Sequence, residues 1–162
     1  MSPRTSATDW PAGSSESLTE LNPTACVGLF PKPGTAARTT TKPLVLSHTS
    51  LSDRFRQFTR RISVEHAKAI ADTNGVIGIW PVGEYFPTIA DYARHMADMA
   101  RLIGADHVGV GTDLRGLTGA SAIADYHELP QLAGGLRAAG LNETEVGNIL
   151  GGNYARVFRA SM

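Results

Sequence analysis

The chain has 162 residues, with 15 Lys+Arg against 15 Asp+Glu and a formal net charge of zero. That length supports one domain with a real core, but falls short of the roughly 200 residues or more of a closed eight-fold β/α barrel. The even charge argues against a nucleic-acid binder that relies on broad positive charge, and gives no support for a basic membrane-surface protein. A single cysteine, Cys26, excludes an internal disulfide. The start, Met1-Ser2-Pro3-Arg4-Thr5-Ser6, lacks the apolar segment of a signal peptide, and no run is apolar enough to cross a membrane. The default expectation is therefore a soluble, cytoplasmic protein in a reducing compartment.

Residues 1–42 are rich in Ser, Thr, Pro and Gly and carry no sustained period. Such a stretch buries too little apolar surface to offset its ordering entropy, so it reads as irregular. Within it, Ala25–Phe30 is either a short strand or a sticky segment. The composition changes near Lys42. Leu44-Val45-Leu46 is a short β run that leads to Ser47-His48-Thr49. Ser63 is an N-cap candidate for a helix over 64–73, with Asn74-Gly75 as its stop. Val76–Trp80 is a buried strand closed by Pro81. Thr88 with Asp91 resembles a capping box, and Ile89, Tyr92, Met96, Met99 and Ile103 recur at helical spacing. Gly104 ends that helix, and His107–Gly111 is a third strand.

After a Gly-rich loop, Leu129, Leu132 and Leu136 mark another helix. Asn142 and Glu145 resemble a further cap, followed by the apolar face of Val146, Ile149 and Leu150. Gly151-Gly152 interrupts it before Tyr154, Val157 and Phe158. The order is β-α-β-α-β-α-α. Nearly continuous apolar strands alternating with amphipathic helices indicate an α/β fold with a parallel sheet.

Polar groups stand where two of these strands stop. His48 ends the first, and a neutral imidazole there is a good ligand for zinc or a similar metal. It could equally be a loop histidine hydrogen-bonded by Ser47 or Thr49. Asp113 follows Gly109-Val110-Gly111-Thr112, where a carboxylate can accept a proton from an attacking water or cap the next turn. Arg60 and Arg61 precede the helix capped by Ser63. Either guanidinium could clamp a substrate carboxylate through a two-pronged hydrogen bond, or both could be solvated members of a basic stretch with Arg54 and Arg56. His66, His95 and His127 read as structural or solvent-facing. His107 lies at the opposite end of its strand from Asp113. The glycines of 109–111 open no Gly-x-Gly-x-x-Gly helix, which excludes a dinucleotide site.

Four segments in series resemble the membrane (renal) dipeptidase family, the M19 peptidases. They are Pro43-Leu44-Val45-Leu46-Ser47-His48-Thr49-Ser50, Arg60-Arg61-Ile62-Ser63 with Gly75-Val76-Ile77-Gly78, His107–Asp113, and Ile149-Leu150-Gly151-Gly152-Asn153-Tyr154-Ala155-Arg156-Val157-Phe158. The resemblance implies part of a TIM-type β/α barrel, about its last three strands and their helices, over residues 40–162, behind an irregular, non-homologous leader at 1–39. It implies a zinc-dependent hydrolase of dipeptides with two zinc ions in the intact family. His48 would be a metal ligand, and Asp113 would take the proton of the attacking water and pass it to the leaving amine. Arg61, or its neighbour Arg60, would bind the dipeptide's free carboxylate.

The family's N-terminal His-x-Asp pair and its other upstream ligands have no counterpart before His48. Leu114-Arg115-Gly116 stands where many members carry Phe-Asp-Gly. One histidine and one aspartate cannot hold two zincs, so the expectation is a C-terminal fragment, inactive alone, with at most partial zinc binding. The alternatives are a non-catalytic remnant, self-association, or a half-barrel completed by another chain.

Overall fold

The computed structural model describes residues 33–51, 61–114 and 116–162. The Ala25–Phe30 segment and Arg60 lie outside the described residues. The described part starts with a short helix, α1 (Pro33–Thr39), which packs on the next helix. The irregular leader expected through residue 39 therefore ends in a helical turn. Then follow β1 (Val45–Leu51), β2 (Arg61–Ile62), α2 (Val64–Asp72), β3 (Val76–Ile79), α3 (Ile89–Ile103) and β4 (Val108–Val110). The C-terminal part holds α4 (Leu129–Ala138), α5 (Glu143–Gly147), a π-type turn over Asn148–Gly152, and α6 (Asn153–Ser161).

The caps lie where the side chains call for them. The Ser63 hydroxyl accepts from the His66 amide at the start of α2, and the Thr88 hydroxyl accepts from the Asp91 amide at the start of α3. Asn142 and Glu145 form a reciprocal capping box before α5. Each satisfies amides that the first helical turn leaves without intrahelical partners. Gly104 closes α3 at φ 93°, a left-handed conformation that costs glycine nothing.

The sheet is parallel throughout, in the order β2-β1-β3-β4. Its fourth member, β2, has no signature in the residue pattern: two residues cannot display a period, and Arg61–Ile62 pairs with Ser50–Leu51 at the end of β1. The two faces of the sheet are covered differently. Ile77, Ile79 and Val108 join the main core with Ile70 of α2, Tyr92 and Met96 of α3 and Leu132 of α4. Full burial of each such side chain contributes about 1.5–3 kcal/mol. Alternation sends Val76, Gly78 and Gly109 to the other face, where the Tyr154 ring of α6 lies over both glycines.

α6 is clamped under the strand starts. Asn153 Nδ2 donates to the carbonyls of Ala105 (2.7 Å) and Val108 (2.8 Å). The Arg156 guanidinium donates to the carbonyls of Asn74 and Asp106, 2.6 Å each. These bonds satisfy main-chain acceptors at the starts of β3 and β4. The strand ends lie at the opposite rim. His107 sits at the lower end, as expected, with Nδ1 2.9 Å from the Gly75 carbonyl oxygen.

Candidate active site

A bulge in β1 sets the position of His48. Leu46 pairs with Ile77 and Thr49 with Ile79, so three steps along β1 match two along β3. The extra residue is accommodated at Ser47–His48, and His48 takes φ 37°. Bulges re-aim side chains and recur beside active sites. A positive φ is uncommon for any residue other than glycine. The half-buried imidazole has Nδ1 2.9 Å from Ser47 Oγ. It stands edge-on to Trp80, with ring centroids 5.9 Å apart. No described residue bonds Nε2. A histidine held through one ring nitrogen, with the other open, has the arrangement that metal ligands use.

Asp113 carries the second left-handed backbone at this rim, φ 47°. Its main-chain carbonyl accepts from the amides of Gly116 and Leu117, 2.9 Å each. The turn is therefore closed by the main chain, not by the carboxylate. The carboxylate rests against Gly116, where a Cβ would overlap it. It accepts no hydrogen bond from the described residues. Strained backbone at two rim positions is the kind of local cost that clusters at functional sites.

Gly111 joins the two. A Cβ there would stand 2.8 Å from the Gly78 carbonyl group and 2.9 Å from the His48 amide nitrogen. Only a glycine lets the end of β4 lean so far over β3 that it meets the bulge of β1. His48 and the segment leading to Asp113 thus converge at one rim. Arg61 stands one strand further out, paired beside Ser50. Its guanidinium carbon lies 3.8 Å above the Tyr85 ring centre, a cation–π contact that orients the planar fork.

Beside Asp113 opens a cleft of about 670 Å³, walled by Thr112–Leu114 on one side and Ala124–Tyr126 on the other. Below the rim, Tyr154 donates its hydroxyl to the Val110 carbonyl at 3.2 Å. Burial pushes that phenol up to about 12, so it stays a donor at any physiological pH. Tyr92 reaches the Ile79 carbonyl from the other face at 2.6 Å, its phenol also pushed up by burial. Among the described residues no three of His, Cys, Asp and Glu gather as a metal cluster. Trp80, Tyr85 and Tyr154 support the rim without standing out as site residues in the sequence. Trp80 alone carries a signal there, an aromatic at a strand end before proline.

The sequence matches a known family. Residues 34–161 fit the profile of the membrane dipeptidases, peptidase family M19. The chain belongs to that family. It is 29% identical over 129 residues to an uncharacterized protein in the pqqA 5′ region of Klebsiella pneumoniae, covering 74% of this chain and 47% of that one. It is 27% identical over 126 residues to the dipeptidase aclJ of Aspergillus oryzae, covering 73% of this chain and 30% of that protein. The chain thus spans less than half the length of these curated relatives.

Solved structures agree on the fold, part of a β/α barrel. An amidohydrolase from Pseudomonas aeruginosa superposes with a TM-score of 0.67 at 24% identity, over 80% of this chain and 49% of that one. A metallo peptidase from Rhodobacter sphaeroides, liganded with a phosphinate mimic of the dipeptide L-Ala-D-Ala, gives 0.67 at 24% identity, over 81% and 40%.

Proposed function

We propose that this chain supplies the C-terminal portion of the active site of a zinc-dependent dipeptidase. The observation that carries the reading is the convergence of His48 and the Asp113 segment through Gly111, in a chain of the membrane dipeptidase family. In this reading residues 40–162 are the barrel portion, and residues 1–39 are a leader whose last turn is α1. His48 would hold zinc through Nε2, with Nδ1 oriented by Ser47. Bound zinc would supply Lewis acidity at the scissile carbonyl. Asp113, whose carboxylate is free of hydrogen bonds to the described residues, would take the proton of the attacking water and return it to the leaving amine. Arg61, steadied on Tyr85, would hold the free carboxylate of a dipeptide in a two-pronged bond.

A two-zinc site needs more ligands than His48 and Asp113, and no third ligand joins them among the described residues. That observation favours a second reading, a non-catalytic remnant or a half-barrel completed by a further chain. Hydrolysis of dipeptides by the purified chain, with zinc added or chelated, tests both. With the preceding barrel portion of a family member supplied, the first reading predicts zinc-dependent hydrolysis that Asp113→Asn abolishes, while the chain alone hydrolyses far more slowly than a full-length relative or not at all. Hydrolysis that survives chelation or Asp113→Asn would overturn it. Inactivity at every zinc concentration even with that portion supplied would favour the non-catalytic remnant.

A further inference from the structure

We propose that Trp80 is a positioning residue for His48: its indole holds the imidazole in the orientation that leaves Nε2 open to a metal ion. The consequence for zinc rests on the reading of His48 as a ligand given above. Leu46 pairs with Ile77 and Thr49 with Ile79, so His48 sits in the bulge and has no cross-strand partner to fix its side chain. Two described neighbours touch the ring. Ser47 Oγ lies 2.9 Å from Nδ1, but Ser47 is exposed. A hydroxyl that water can reach exchanges partners, and one such bond is a weak restraint on a ring. The second neighbour is the Trp80 indole, with ring centroids 5.9 Å apart and planes crossing at 69°.

The indole can serve as a wall because its own base is tied down on both sides. The Trp80 amide donates to the carbonyl of Thr49 at 2.8 Å, the first residue past the bulge. Pro81 follows and biases the Trp80 backbone to an extended conformation. The Pro81 carbonyl accepts from the Ala122 amide at 2.8 Å, Val82 bridges to Ser121, and the Gly83 amide donates to the Ala120 carbonyl at 2.7 Å. The half-buried indole therefore stands on a fixed turn, and with two side-chain torsions it loses little entropy in holding its place. An edge-to-face pair at this separation shifts an equilibrium by about twofold to tenfold. A ligand ring held in one orientation before the metal arrives has no ordering cost left to meet on binding. Trp80 thus acts through His48 and has no need to touch metal or substrate.

The test compares the full chain with Trp80→Phe, which keeps a flat ring, and Trp80→Leu, which keeps only apolar bulk. NMR follows the His48 ring protons before and during zinc addition. Without zinc, these protons should show nuclear Overhauser contacts to the indole and a ring-current displacement that Trp80→Leu removes. The His107 ring, at the lower rim, should be unmoved. With zinc, Trp80→Leu should weaken uptake at His48 by about threefold to tenfold, and Trp80→Phe by less than about twofold. A wild-type spectrum without contacts between the two rings would overturn the positioning role, with no variant needed. So would an unmoved His48 ring in Trp80→Leu, or a loss of zinc affinity as large in Trp80→Phe as in Trp80→Leu. A His48 ring that responds to Trp80→Leu, in a chain whose zinc uptake ignores His48→Ala, would uphold the hold of Trp80 on the ring and overturn the zinc reading. Zinc held by His48 with equal affinity in all three chains would do the reverse.

Discussion

The amide nitrogen of His48 lies 2.9 Å from the point where a Cβ on Gly111 would stand. Two strands that are not neighbours in the sheet therefore touch across the end of the one between them. The contact has no slack, because the same Cβ would also stand 2.8 Å from the Gly78 carbonyl group, and all three neighbours are backbone.

Gly111→Ala should accordingly destabilise the chain by about 1–3 kcal/mol, the usual cost of overpacking. It should also move the His48 amide signal in an NMR spectrum more than those of the Asn142 cap. Urea unfolding measures the first effect. An alanine variant as stable as wild type, with an unmoved His48 signal, would show that the rim is looser than these contacts imply.

Gly78 makes room for the Tyr154 hydroxyl on the other face of the sheet. Gly78→Ala should clash with that hydroxyl, and Tyr154→Phe should lose about 1 kcal/mol with its bond to Val110. The double variant removes the clashing oxygen, so its cost should fall below the sum of the two by about 0.5 kcal/mol or more. A double-mutant cycle in urea gives that coupling directly, and strict additivity would place Tyr154 elsewhere.

Asn153 is 1% exposed and bonds two carbonyls at the lower rim. Asn153→Ala should cost about 1–3 kcal/mol for each acceptor left bare in the interior. Asn153→Asp should be worse at neutral pH, since a buried carboxylate would face two carbonyl oxygens, and should recover as acid protonates it. Thermal melts at pH 7 and pH 4, compared with the alanine variant at each pH, separate the two effects.

His66 is buried at the start of α2, with Nδ1 2.9 Å from Ser63 Oγ and Nε2 without a hydrogen-bond partner among the described residues. Burial holds its imidazole below the ordinary value of 6.5. The unfolded chain therefore takes up the proton first as pH falls through 6.5. Stability from the neutral ring is complete above that pH and declines below it, until the folded ring also protonates. His66→Leu should flatten the loss of urea midpoint between pH 7 and pH 5.5 relative to wild type. An unchanged slope would mean that His66 does not titrate differently on folding.

Elements set by local chemistry are legible in the residues themselves. Ser63, Thr88 and Asn142 announce the starts of α2, α3 and α5 because a cap depends on a side chain and an amide a few residues away. The stripe Ile89, Tyr92, Met96 and Met99 announces the buried face of α3 for the same reason. The bulge at Ser47–His48 is hidden from the sequence, since its cause is a mismatch of register with β3 rather than a property of β1. β2 is hidden because its pairing with Ser50–Leu51 is its only definition. Tyr154 reads as one more apolar position on the last helix, although it fills the space left by Gly78 and Gly109 far away in the chain. His48, Asp113 and Arg61 all draw notice from their places at strand and helix ends. The stacking of Arg61 on Tyr85 and the contact through Gly111 emerge only in the folded backbone.

The claim that His48 is a metal ligand is tested most directly by titrating the chain with zinc while following the ring signals of its five histidines. His48 should shift first, together with amides near Asp113, and His48→Ala should abolish this first phase. If His66, His95, His107 or His127 shifts first, or if His48→Ala takes up zinc as wild type does, the assignment of the site at this rim is wrong.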